Sequence, residues 1–180
     1  MTAAKEDNPT ARRERLRELA SLGARRAAEV IAEFAGASVQ AGPLHEAETL
    51  KAPSVETGVI FRVEGQLTGQ LALCFDLLSR RALVRLLLDE DEPEAAPDMV
   101  ASALSEFANI VASQAVSAIA DALGAAISLS VPELVLERAA ARLWEVRAER
   151  GEGARDLALI SELSAPGAEL RVVLVIAPDA

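Results

Sequence analysis

Ser102, Glu106 and Asn109 are spaced so that, at 100° per residue, their side chains fall within about 60° of one another on a single helical stripe. Ser113 and Ser117 extend the stripe, while Leu104, Phe107, Val111, Ala115, Ala118 and Ala122 form an apolar stripe expected to face a core. One face would anchor this helix, and the other would present a carboxylate, which accepts hydrogen bonds, and a carboxamide, which both donates and accepts. Ser102 as a nucleophile would need a base beside it, and none is evident. Pro132 follows Asn109 after a further 22 residues.

A Glu-x-x-Asn pair alone is most often a solvated helix face. Asn109 still asks for a reason, because Asn is only a middling helix former. Duplication adds weight. Shifting the chain against itself by 88 residues brings Glu14 onto Ser102, Glu18 onto Glu106, Ser21 onto Asn109, Ile31 onto Ile119 and Gly36 onto Gly124. Each long helix ends near a glycine suited to a left-handed C-terminal cap. Each then runs into a short apolar segment that reads as a strand, SVQAGPL (38–44) and AISLSVPELVL (126–136).

Further strands follow in both halves. GVIFRVEG and TGQLALCFD read as one hairpin, and RDLALISELS and AELRVVLVIA as another across Ala165-Pro166-Gly167. LLSRRALVRLLLDE has helical periodicity, EDEPEAAPD reads as a flexible acidic connector, and AAARLWEVRAER as a short extra helix that Trp144 packs onto the body. The expected organisation is a single domain over 1–180. Residues 1–9 are disordered, repeat one covers about 10–76, a connecting helix 77–90, and repeat two about 97–180. The fold class is α+β: a pseudo-twofold tandem repeat of helix plus three strands, giving a six-stranded sheet with two long helices side by side on one face.

The stretch SALSEFANIVASQAVSAIADALG followed by AAISLSVPELV resembles the CheC/CheX/FliY family of CheY-type response-regulator phosphatases, whose signature is Asp or Ser, x3, Glu, x2, Asn, x22, Pro. All four positions match, at Ser102, Glu106, Asn109 and Pro132. The resemblance implies the CheC-like fold and a phosphorylated CheY-type receiver domain as partner. Asn109 would hold the water that attacks the receiver's aspartyl phosphate, and Glu106 would pair with a receiver lysine. Ser102 and Pro132 would be supporting residues. Mg²⁺ would be supplied by the receiver, with no cofactor or metal bound by this chain.

The first copy departs from the signature. Glu14 stands at the Asp/Ser position, Ser21 replaces Asn, Pro43 is one residue short of register, and Arg25 lies where Ser113 lies. A hydroxyl is too short to reach the same water, so Glu14, Glu18 and Ser21 read as a degenerate copy without turnover. The alternative function is a non-enzymatic chemotaxis adaptor, binding a CheD-like receptor deamidase or serving in the flagellar switch. The chain ends at Ala180, directly after the last strand, without the extra C-terminal domain expected of a FliY- or FliM-like switch protein. CheC-like and CheX-like readings both stay open, as do monomer and homodimer.

The 180 residues suit one domain, and a hydrophobic content of 51% with only 3% aromatics implies a core of small aliphatic side chains. A net charge of −10 argues against nucleic acid or an anionic membrane surface as partner. No N-terminal signal or membrane-spanning apolar run is evident, so the expected location is cytoplasmic. Cys74 reads as a small buried hydrophobe and His45, the single histidine, as a surface or strand-end residue. Gly151-Glu152-Gly153 reads as a flexible turn rather than a nucleotide motif.

Overall fold

The computed structural model describes residues 9–47, 56–92, 94–149 and 158–179. The expectations for residues 1–8 and for the 151–153 turn lie outside them. Pro9, expected in a disordered leader, instead opens a helix, where its missing N–H costs nothing.

The two long helices are matched in length: α1 (Pro9–Ala35) and α3 (Pro97–Leu123) have 27 residues each and begin 88 positions apart. Both start at a proline. α3 is followed by Gly124 in the left-handed conformation, whose N–H returns to the Ala120 and Asp121 carbonyls, and Gly36 adopts the same conformation after α1. Between them lies α2 (Leu77–Leu88), whose first turn is capped by the Asp76 carboxylate accepting from the Ser79 N–H at 2.7 Å. The acidic connector is not loose at its described residues. Glu92 pairs with Arg80 and Asp91 with Arg85, each at 2.7 Å, and these cations hold what composition alone reads as a flexible tether.

β3 (Thr57–Gly65) and β4 (Gly69–Phe75) form one hairpin, and β7 (Ala158–Ala165) and β8 (Leu170–Pro178) the other, turning through a short 3₁₀ segment at Pro166–Ala168. β4 and β8 pair antiparallel at the centre of the sheet, with Leu73 opposite Leu174 and Cys74 opposite Val173. The two post-helix segments are each broken in two, as β1 (Gln40–Ala41) and β2 (His45–Ala47), and as β5 (Ile127–Leu129) and β6 (Glu133–Val135). Eight strands therefore occupy six lines.

The edges are exchanged between repeats. β1 and β2 pair with β7 of the second repeat, and β5 and β6 with β3 of the first. Each break is a bulge in which three residues, 42–44 or 130–132, oppose two on the partner strand. Pro43 and Pro132 occupy these bulges, where a residue without an N–H is tolerated. Their one-residue difference in register is absorbed inside the bulge. Ser130 bridges the second gap: its N–H donates to the Arg62 carbonyl, and its hydroxyl accepts from the Arg62 N–H, both at 2.9 Å.

Side chains alternate across the sheet. Val59, Phe61, Leu71, Leu73, Phe75, Val172 and Leu174 face α1 and α3, whereas Ile60, Ala72, Cys74, Val173 and Val175 face the other way. That second face is covered by α4 (Ala139–Ala148), through Leu143 and the partly buried Trp144. Trp144 is thus the packing residue expected. The central strands β4 and β8 are buried on both faces.

α1 and α3 run antiparallel through small residues. A Cβ on Gly23 would stand 2.9 Å from the Ile119 Cδ1, so glycine lets the helices approach here without the end of that side chain having to move. Further along, the Phe34 and Phe107 rings meet edge to face with centroids 5.2 Å apart. The buried face of α3 is Val100, Leu104, Phe107, Ala108, Val111, Ala112, Ala115, Val116 and Ile119. Ala118 is only half-buried and Ala122 is exposed, contrary to the expected stripe. Two contact surfaces, the sheet beneath and α1 alongside, widen the stripe and rotate it.

Candidate functional site

Ser102, Glu106, Ser113 and Ser117 are exposed on α3 and Asn109 is half-buried. The structure brings the three helical motif residues together on the outer surface, away from the sheet. Neither Glu106 nor Asn109 makes a side-chain hydrogen bond or ion pair among the described residues, so both polar ends are available to a partner. Pro132 is half-buried in the bulge between β5 and β6, which lie against α3. Its side chain carries no polar group.

The first repeat places its counterparts identically. Glu14, Glu18 and Arg25 are exposed and Ser21 is half-buried, matching Ser102, Glu106, Ser113 and Asn109 position for position. What differs is occupancy. The Arg15 Nη1 pairs with the Glu18 Oε2 at 3.1 Å, and the Arg25 Nη1 donates to the Ser21 Oγ at 3.1 Å. Both groups that could engage a partner are already engaged within α1. The counterpart of Arg15 is Ala103, a difference that the motif pattern overlooks and that comparing the repeats residue by residue would have exposed.

The remaining chemically capable residues are elsewhere. His45 is exposed at the start of β2, opposite Ile160. Cys74 is buried, and burial pushes its thiol up to about 12, where it stays protonated and inert at neutral pH. Glu46 on β2 is held below the usual carboxylate range by the Arg13 guanidinium, with Arg17 assisting at 2.6 Å, which ties the first edge to α1. Among the described residues, no three His, Cys, Asp or Glu side chains are grouped to hold a metal ion. α3 alone among the described helices is long and apolar enough to cross a membrane, and its apolar face is taken up by the core.

Residues 99–136, the segment carrying the stripe and Pro132, match the model of the CheC-like family. No curated protein matches the chain by sequence. Among solved structures, the chemotaxis protein CheX from Desulfovibrio desulfuricans superposes with a TM-score of 0.67 at 13% identity, covering 90% of this chain and 99% of that one. The fold is CheC-like. The chain also resembles in fold the CheX of a CheX–CheY–BeF₃–Mg²⁺ complex from Borrelia burgdorferi, with a TM-score of 0.66, 20% identity, and coverage of 91% and 97%. FliY from Thermotoga maritima superposes at 0.60 with 18% identity, covering 98% of this chain and 92% of the other. The resemblance to the CheC, CheX and FliY group thus holds in the fold as well as in the motif.

Proposed function

We propose that this chain is a protein aspartyl-phosphate phosphatase of chemotaxis-type signalling, acting on a phosphorylated CheY-type receiver domain in the cytoplasm. The observation that carries the reading is the unengaged pair on the outer stripe of α3, an exposed Glu106 and a half-buried Asn109, inside the segment that matches the CheC-like model. The Borrelia relative, a CheX bound to CheY with BeF₃ and Mg²⁺, supports it as a structure of the kind of complex required.

Hydrolysis of an acyl phosphate needs a water in line with the bond between phosphorus and the aspartyl oxygen. Positioning and charge stabilisation are most of what a protein adds to such a transfer. The Asn109 carboxamide oxygen would accept a hydrogen bond from the water while its NH₂ donates to an acceptor in the site, fixing the approach of the water. Glu106 would pair with a receiver lysine and set the docking register. The water oxygen bonds to phosphorus as the P–O bond to the aspartate breaks, leaving the free carboxylate and inorganic phosphate. Mg²⁺ would come with the receiver, as part of the substrate. We assign Ser102 and Pro132 supporting roles and read the whole chain as one working unit.

Asn109→Ala should lower receiver dephosphorylation by about 10²- to 10³-fold, the scale of losing one preorganised polar group. Circular dichroism and melting temperature should be nearly unchanged, because Asn109 lies outside the buried face of α3 and its side chain holds no hydrogen bond among the described residues. Unaltered turnover in the purified variant would sink the reading. The fold shared with FliY keeps an adaptor role as the second reading. Equal affinity for phosphorylated and unmodified receiver, without acceleration of phosphate loss, would favour it.

A further inference from the structure

Resting on the receiver reading above, the geometry points to a seat for one lysine or arginine side chain of the receiver, formed between Glu106 and the last turn of α1 and kept open by Ala103. The first repeat shows the occupied form. There Arg15 Nη1 holds the Glu18 carboxylate and Nη2 donates to the Ala122 carbonyl, each at 3.1 Å, so one guanidinium bridges a stripe carboxylate and the last turn of the neighbouring helix. Carbonyls in a last turn lack intrahelical donors, and the helix dipole makes that end negative.

Every part of this arrangement has a counterpart across the repeat offset of 88 residues. Glu18 corresponds to Glu106, Ala122 to Phe34, Asp121 to Glu33 and Arg15 to Ala103. The twofold relation between the helices, marked by the bond between the equivalent residues Arg26 and Gln114, places the second set as it does the first, and the Phe34–Phe107 ring contact shows that the end of α1 lies beside α3 at this point. Glu33 and Glu106 are both exposed, and neither has an ion-pair partner among the described residues. Only the cation is missing from this copy. A methyl group at Ala103 cannot supply it, so the seat is left for a side chain from outside.

The C-terminal turn of α1 therefore belongs to the working site, although the motif residues of α1 do not. It contributes the Phe34 carbonyl and the Glu33 carboxylate as positioning and docking groups. Catalysis remains with Asn109. The same arrangement would make the first stripe idle, since Arg15 occupies there what a receiver cation would need.

Ala103→Arg tests this by letting the chain fill its own seat. A crystal structure of the variant alone should show the new guanidinium bridging Glu106 and the Phe34 carbonyl; a side chain extended into solvent overturns the seat. Binding should then be measured by calorimetry with the beryllofluoride-activated receiver whose dephosphorylation the wild type accelerates. Ala103→Arg should weaken it about tenfold or more, and Ala103→Leu, similar in bulk but uncharged, by less than about threefold. Equal losses in the two variants would mean a steric effect and overturn the charge argument. Glu33→Gln should raise KM about two- to fivefold with kcat unchanged, the opposite split from Asn109→Ala; an unchanged KM overturns the role of α1. If no receiver is dephosphorylated by the wild type, the phosphatase reading fails, while the crystal structure still decides the seat.

Discussion

Arg26 and Gln114 stand at equivalent places in the two repeats, 88 residues apart, and the Arg26 Nη2 donates to the Gln114 Oε1 at 2.8 Å. A bond between equivalent residues of two antiparallel helices lies on the axis that relates them. The seam is therefore centred on a mixed pair, and its asymmetry matters. Gln114→Arg would set two guanidinium groups face to face and remove the acceptor, and should destabilise the fold by about 0.5–1 kcal/mol. Arg26→Gln, which pairs two carboxamides, should stay within about 0.5 kcal/mol. Urea unfolding midpoints measure both, and equal effects would remove the seam argument.

The two stripe glutamates should differ in consequence. Glu18→Ala breaks an exposed pair with Arg15 and should leave turnover unchanged. Glu106→Ala should weaken receiver docking and slow phosphate loss. Steady-state dephosphorylation of one receiver by both variants makes the comparison, and equal losses would mean that both stripes work.

Acid should act on the first sheet edge. Hydrogen bonding from Arg13 holds Glu46 below the usual carboxylate range. A carboxylate depressed in the folded state stabilises at pH above its unfolded value, about 4.3, and that contribution is lost as pH falls through the lowered folded value. The melting temperature of the wild type should therefore fall further than that of Glu46→Gln as pH drops below about 4. Parallel curves for the two proteins would contradict this.

Cys74 should be silent to thiol reagents. With its thiol pushed up to about 12 by burial, it should not react with a disulfide reagent at neutral pH in the native protein, and should react fully once unfolded. Rapid labelling of folded protein would show that the face beneath α4 opens.

Much of this architecture is local and hence legible in the sequence. The glycine stops and the 3.6-residue periodicity placed α1 and α3, and the spacing of Ser102, Glu106 and Asn109 alone put them on one outer stripe. The alternation of Val59, Ile60 and Phe61 likewise announces a strand with two environments. Tertiary structure decided the rest. Which hairpin each broken edge joins, and which sheet face Leu143 and Trp144 cover, depend on pairings between residues far apart in the chain. The rotation of the buried stripe, which leaves Ala122 exposed, follows from α1 and the sheet competing for one helix. The engagement of Arg15 with Glu18 and the Ala122 carbonyl has the same origin: a one-dimensional pattern records the spacing of Arg15 and Glu18, but only antiparallel packing brings the end of the other helix to them.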